Sequence, residues 1–383
     1  MVFDFVVLGA TGIQGRIASR DLLENDHSVL LCGRDEKKID LLLEKYRKAE
    51  FEYVDLRDMK NTADVIKKSG AKVVLNCAEG DWDMNAMKAC IKADAHYLDL
   101  GSDIPMTRDQ FKLDPVLKKK KLISITGCGS TPGVNNVMLR HAVGKLDKVH
   151  CVDAGFAWDS NMKTFVVPFS IQSIVEEFTD IATIMHNKKF LKVTPREYFM
   201  EHNFREIGRE KSFYTRHPEV YTFCRFLKKK NVCDIKFFAS FPKHSYDTIM
   251  TLIKLGFSSK EPVMVDGKEV VPVRFLTEFL KRLEIPKGYT EKENLWIRVH
   301  GRKDGKKKSI YMNCVVPTLK GWEDSTCNID TGMPASIMAQ MVKEGFVKEH
   351  GSFSPEFVIP PKPFFEELAR RKMSVYENGR KIN

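Results

Sequence analysis

Apolar residues arrive along the first half of the chain in short runs, each followed by a stretch whose apolar positions recur every three or four residues. Asp4 to Leu8, Ser28 to Cys32, Phe51 to Val54, Lys72 to Ala78, Tyr97 to Leu100 and Leu122 to Thr126 read as strands. Between them, Arg16 to Leu23, a segment through Ile39 and Leu41 to Tyr46, Asp64 to Ser69 and Met84 to Ala93 read as helices. Strand-helix units of this length imply parallel pairing, and so an α/β fold with a doubly wound sheet. From about Val149 the pattern changes. His150 to Trp158, Asp234 to Phe241, Leu295 to His300 and Ser309 to Val316 have strand character, and Asp304-Gly305 between the last two is a hairpin turn dipeptide. A second α+β domain on a mostly antiparallel sheet is expected there, with no Pro-, Gly- or Ser-rich linker before it.

Composition narrows the class. With 383 residues, 43% of them hydrophobic, the chain is long enough for two domains with a large core. No apolar run approaches the roughly 20 residues of a membrane span, and Asp4 stands where a signal peptide would be basic. A cytoplasmic protein with no membrane association is expected. The nine cysteines are scattered without a C-x-x-C pair, which predicts reduced thiols and no metal site. The net charge of +11 is spread over short clumps at Lys118 to Lys121, Lys228 to Lys230 and Lys306 to Lys308, none interleaved with aromatics. These read as solvated faces, so no nucleic-acid partner is expected, although a positive field helps collect an anionic ligand.

The chemistry begins at Gly9-Ala10-Thr11-Gly12-Ile13-Gln14-Gly15, a glycine-punctuated turn between the first strand and the first helix. Glycines there let backbone approach a pyrophosphate, whose charge sits against the helix N-terminus. The pattern points to a Rossmann-type dinucleotide site with Gly9, Thr11, Gly12, Ile13, Gln14 and Gly15 as its cradle. The second strand ends in Gly33-Arg34-Asp35. An acid at that strand end would accept from a ribose 2′-hydroxyl; glycine followed by arginine suits a 2′-phosphate instead. NADP is therefore the preferred cofactor, with NAD the alternative if Asp35 takes the ribose. Ligands of such sheets lie beyond the strand carboxyl ends, which places Asp55, Leu56, Cys77, Ala78 and Gly101 near the nucleotide and Asp99 and Asp103 near the nicotinamide end.

Two more segments fit an active site between the domains: Gly127 to Asn136, whose glycines and helix start suit a carboxylate at Asn135 and Asn136, and Thr331-Gly332-Met333-Pro334 before another helix. Transfer at a carbon–nitrogen bond needs a group that moves protons near neutrality. His244, after the strand ending at Phe241, is the candidate, with a structural histidine as the alternative. Asp99 and Asp103 are candidates to meet a substrate ammonium, helix capping being the other reading of Asp103. Arg302 is a candidate clamp for a carboxylate, or a solvated residue of a basic turn.

Together the glycine turn, Asn76-Cys77-Ala78, His96 to Gly101, Thr131 to Asn136, Gly332-Met333-Pro334 and the closing Phe346 to Glu356 resemble the saccharopine dehydrogenase-like family, most nearly its lysine 6-dehydrogenase branch. The resemblance implies an NAD(P)-dependent oxidoreductase acting on a small-molecule amine or amino acid, commonly a homodimer. It also implies three parts: a dinucleotide-binding domain at 1–130, a substrate and dimerisation domain at 131–345, and a segment at 346–383 returning to the first domain. A carboxynorspermidine- or saccharopine-forming reductase is the alternative within the family, and a non-catalytic nucleotide-binding scaffold the alternative outside it. The sequence departs from the lysine branch at Ser240, which stands where that branch tends to carry an arginine suited to a substrate carboxylate.

Overall fold

The computed structural model of the protein describes residues 2–101, 103–167, 170–195 and 199–383. The first domain runs β1 (Phe5–Leu8), α1 (Ile13–Glu24), β2 (Val29–Gly33), α2 (Asp40–Lys45), β3 (Ala49–Tyr53), α3 (Met59–Ser69), β4 (Val73–Asn76), α4 (Asp83–Ala93), β5 (His96–Asp99), α5 (Ile104–Phe111), α6 (Asp114–Lys120), β6 (Ile123–Ile125) and α7 (Val134–Val143). Every residue of β1, β2 and β4 is buried, as continuous apolar runs require when helices cover both faces of a parallel sheet. One helix is out of phase with its reading. Leu41 is 81% exposed, while Ile39 and Leu42 face the core, because a 3₁₀ turn over Glu36–Ile39 rotates the start of α2.

The second domain continues with β7 (Lys148–Ser160), α8 (Ile171–Thr179), β8 (Ala182–His186), β9 (Lys189–Val193), β10 (Phe199–Phe204), β11 (Gly208–Tyr214), α9 (Glu219–Phe226), β12 (Asp234–Ser240) and α10 (Lys243–Lys254). It goes on with β13 (Val263–Val265), β14 (Lys268–Val270), α11 (Pro272–Leu280), β15 (Glu291–Lys303), β16 (Lys306–Pro317) and α12 (Ile329–Lys343). The chain ends with β17 (Gly351–Phe353), α13 (Pro355–Val358), α14 (Pro361–Arg370), β18 (Ser374–Glu377) and β19 (Arg380–Lys381).

Among the described residues the first sheet has the order β17-β6-β5-β4-β1-β2-β3, all parallel. The large second sheet is antiparallel except where β12 lies parallel to β7. Its hairpin β15–β16 closes on Asp304 and Gly305, both at positive φ, the backbone a two-residue turn demands. The faces of this sheet divide cleanly. Phe156, Trp158, Phe237, Ala239, Phe241, Leu295 and Ile297 join the core shared with the first domain, whereas Ala157, Phe238 and Trp296 form a separate cluster on the opposite face.

Two contacts lock the domains together. Helix α12 crosses α1 at Gly332, where a Cβ would come within 2.5 Å of Ile17 Cγ2. The closing segment serves both domains: β17 extends the first sheet beside β6, and β18 pairs with β16 of the second. Within 346–383, read as a return to the first domain, β17 thus lies on the first sheet and the final strands β18 and β19 on the second.

Candidate active site

The glycine turn has the geometry of a backbone cradle. A Cβ on Gly9 would lie 2.6 Å from the Ala78 nitrogen, and one on Gly15 would strike the Gly9 carbonyl, so only glycine lets these segments meet. Gly9 also adopts φ +72°. Thr11, Gly12 and Ile13 stay accessible, and the first-turn N–H groups of α1 have no carbonyl within the helix to bond. These features fit a dinucleotide pyrophosphate. At the ends of β2 and β3, Arg34 is exposed, and Asp55 is held by Arg57, whose guanidinium keeps its carboxyl down at about 2, with Arg34 adding to the pull. Two guanidinium groups thus flank one carboxylate where the adenosine ribose would lie. Gly33 has a second role: a Cβ there would meet Thr11 Cγ2 at 2.5 Å, so an acid at this position would disturb the turn itself.

Several predicted residues are committed inside the protein. Asp99 is fully buried; one oxygen accepts from the N–H groups of Gly101 (2.9 Å) and Gly127 (2.8 Å) and from Thr126 Oγ1, the other from Gln110. It holds two loops in place and has no oxygen left for a substrate ammonium, so that reading is corrected. Asp103 caps α5 by accepting from the Met106 N–H at 2.8 Å. Asn136 accepts from the Gly133 N–H and donates to buried Glu356, so its side chain is spent on fixing the α7 start. Asn135 donates to the Gly155 carbonyl, while its Oδ1, fully buried, has no partner. Gly101 and Gly127 clasp the ring of Pro132, whose Cγ lies 2.6 Å from a Cβ built on either. Cys77 is buried, and burial pushes its thiol far up. Leu56 accepts from the Asn85 amide. Ser240, which stands where the lysine branch tends to carry an arginine, is buried and bonded to Ser212 Oγ at 2.6 Å, on the face away from Phe241. Arg302 lies at the hairpin tip, bonded to the Gly305 carbonyl, remote from the strand ends of the first sheet.

His244 begins α10 beside Asp159, Lys163 and Thr164; its Nε2 is buried without a partner, and burial holds its pKa below the usual histidine value.

The structure adds a group that sequence reasoning missed. Glu293 on β15 and Asp330 at the start of α12 hydrogen-bond each other through their carboxyl groups, although they are far apart in the chain. Burial pushes Asp330 up to about 6 and Glu293 well above the carboxylate range; the Asp330 charge adds to the rise of Glu293, whereas the hydrogen bond from Glu293 holds Asp330 lower. The pair therefore shares a proton near neutrality. Thr331 Oγ1 reaches Asp330 at 3.0 Å and Ser130 Oγ at 2.9 Å, while Gln14 Nε2 donates to Asn328 at 3.2 Å. These bonds tie the pair's surroundings to the glycine turn through Gln14 and to the Gly127–Gly133 loop through Ser130. Next to it Glu291 accepts from the Tyr289 hydroxyl at 2.7 Å and from the Cys327 N–H. Thr326, which closes this corner, is a β-branched residue at φ +48°, a strained backbone of the kind that collects at functional sites.

Glu177 on α8 completes the acidic lining. Burial pushes it up to about 8, and its Oε2 lacks a partner because the neighbouring Arg216 pairs with Glu176 (3.1 Å) and Asp180 (3.2 Å) instead. The aromatic wall beside it is Trp158, Phe178 and Phe241, with Phe178–Phe241 centroids 5.1 Å apart. His217 stacks on Phe237 at 3.8 Å and pairs with buried Glu219 at 3.1 Å. Sequence offered no signal that singles out Glu293: it is one of three consecutive charged residues, Glu291, Lys292 and Glu293, that open β15.

Family models match along most of the chain: the saccharopine dehydrogenase NADP binding domain over residues 5–156, and the saccharopine dehydrogenase C-terminal domain over residues 129–373. A carboxyaminopropylagmatine dehydrogenase of Synechocystis is 24% identical, covering 97% of this chain and 96% of its own. A carboxynorspermidine synthase of Vibrio alginolyticus is also 24% identical, over 94% of this chain and 93% of its own. Apo saccharopine dehydrogenase (L-Glu forming) from Saccharomyces cerevisiae shares the fold across the full length of both chains, with a TM-score of 0.74 at 13% identity.

Proposed function

The chain belongs to the saccharopine dehydrogenase family, and from that premise we propose that it is an NADP-linked enzyme that reductively joins an amine to a carbonyl group, with a carboxylated polyamine as the product class. Family and relatives support oxidoreduction at a carbon–nitrogen bond. The Synechocystis and Vibrio relatives carry names of agmatine- and norspermidine-based carboxylated amines, which favours a polyamine-type substrate over free lysine.

The observation that carries this reading is the pair of carboxyl groups of Glu293 and Asp330 hydrogen-bonded to each other, with burial favouring a retained proton. The turn from Gly9 to Gly15 and Arg34 would hold the dinucleotide, which when bound supplies hydride. Amine and carbonyl first condense, and the departing carbinol oxygen needs a proton. Glu293, partly accessible and sharing its proton with Asp330, supplies it; Thr331 and Ser130 fix the pair. Glu177, with an oxygen that has no partner beside an aromatic wall, suits a second ammonium of a polyamine. A scaffold could leave this crevice apolar, whereas here it is lined with titrating groups. Within the same reading the protein works in the cytoplasm as a homodimer, which sedimentation would test.

The test is NADPH oxidation with diamines, agmatine or lysine, each paired with an amino-acid aldehyde. Polyamine-type amines should outrun lysine, and Glu293→Gln should cut turnover by roughly 10²–10⁴-fold with NADP affinity changed less than about threefold. Robust NADP-linked oxidation of lysine alone, or a Gln variant as active as the native enzyme, would reject the assignment.

A further inference from the structure

At the end of the second sheet opposite the crevice, the surface opens into a cavity of about 240 Å³ lined by His150, His300, Gly301, Arg302, Lys307, Lys308 and Ser309. Three strands build it. His150 comes from β7, His300 to Arg302 from β15, and Lys307 to Ser309 from β16, with a register break between His300 and Gly301. Glycine is required at the break, since a Cβ on Gly301 would run into the Lys148 carbonyl. Along β7, the eight residues from His150 to Trp158 separate this cavity from the acidic crevice by ~25 Å.

The charges here oppose one another. Arg302 lies directly across from Lys307 on one side and from Lys148 on the other. Like charges placed opposite each other destabilise a sheet. Among the described residues no carboxylate lies within ion-pair distance of Arg302, Lys307 or Lys308; Asp147 and Asp304 at the turn both lie on Lys303, at 2.9 and 3.7 Å, and Asp147 also accepts from the Asp304 N–H. His300 adds a ring fixed by Ser309 Oγ at 2.6 Å. A planar guanidinium and two ammonium groups, without an ion-pair partner among the described residues, share one concavity with two imidazoles and make a receptor for a compact multivalent anion.

We propose that this cavity binds a small phosphate-bearing anion of the pyrophosphate class, at a site separate from the dinucleotide crevice. It gives a place to Arg302, Lys307 and Lys308, which the catalytic reading leaves unused. The site is tested by titrating the full-length protein with inorganic pyrophosphate while saturating NADP⁺ fills the crevice. One saturable site is expected, weakened at least tenfold in the double variant Arg302→Gln/Lys307→Gln. That variant should keep native turnover and, without pyrophosphate at low salt, melt no lower than the native protein, because the repulsion is gone. Absence of saturable binding with NADP⁺ present, or equal affinity in the double variant, overturns the proposal. Binding of duplex DNA that the double variant loses, without pyrophosphate binding, overturns it in favour of a nucleic-acid surface.

Discussion

At the residue scale the crevice sets chemistry against stability, and Glu177 shows how. Its carboxyl, pushed up to about 8 by burial, holds its proton more tightly folded than unfolded. The stability this contributes is complete below the unfolded value near 4, shrinks as pH rises through the folded value, and is gone above about 8. Glu177→Gln should therefore melt higher than the native protein at pH 8.5, the two converging below pH 4, in a thermal scan across that range. The same change should raise KM for a diamine if the carboxylate meets the second ammonium; an unchanged KM would leave Glu177 a structural group. Arg34 poses a simpler question. Arg34→Ala should weaken NADP by roughly 1.5–3 kcal/mol, the worth of a charged hydrogen bond, and leave NAD nearly untouched in a fluorescence titration. Equal losses for both cofactors would move the 2′-phosphate contact elsewhere, with Arg57 as the next residue to examine. Replacing Gly33 with an acid cannot serve this purpose, because the new Cβ would press on Thr11 and disturb both cofactors alike.

At the scale of elements, what could be read in the sequence was whatever depends on local pattern. Strands β1, β2 and β4 of the first sheet announce themselves because they are buried on both faces, and β15–β16 because alternation and Asp304-Gly305 coincide. The glycine turn was legible for the same reason: Gly9, Gly12 and Gly15 recur at every third position between a strand and a helix, where Gly9 and Gly15 let backbone segments meet. The acidic pair was not legible, since Glu293 and Asp330 meet only through tertiary packing, after α12 has been laid across α1 at Gly332. Asp99 failed in the opposite way. Its place at a strand end was read correctly, but a strand-end carboxylate can face a ligand or tie down neighbouring loops, and only the positions of Gly101, Thr126 and Gly127 decide between these. Ser240 shows the limit of alignment by motif: strand alternation turns its side chain away from Phe241, towards Ser212. In the segment Gly127–Asn136, read as a ligand contact, Asn136 fixes the helix start and Asn135 ties α7 to Gly155 of β7.

At the scale of the whole molecule, the crevice depends on two sheets being held at a fixed separation, and the closing segment is the strap that holds them. It donates β17 to one sheet and β18 to the other, and between them Arg371 lies buried against Asp21 of α1, with Nε–Oδ1 at 2.7 Å and Nη2–Oδ2 at 2.8 Å. Ser336 of α12 donates to the same carboxylate at 2.6 Å, so one ionic knot joins the first helix, the cross-domain helix and the C-terminal segment. Removing only the arginine would leave a buried carboxylate uncompensated, a loss of about 3–5 kcal/mol. Arg371→Ala should lower the denaturant midpoint accordingly and expose the chain beyond Pro355 to limited proteolysis. The paired change Asp21→Leu with Arg371→Met removes both charges and fills their space, so it should recover most of the midpoint, because a buried ion pair adds little over apolar packing. NADP affinity should follow the midpoint through the series, falling in the single variant and returning in the pair. If the single variant unfolds at the native midpoint, or if proteolysis removes the segment with cofactor binding intact, the strap is not what fixes the crevice, and the α1–α12 crossing at Gly332 alone must carry that load.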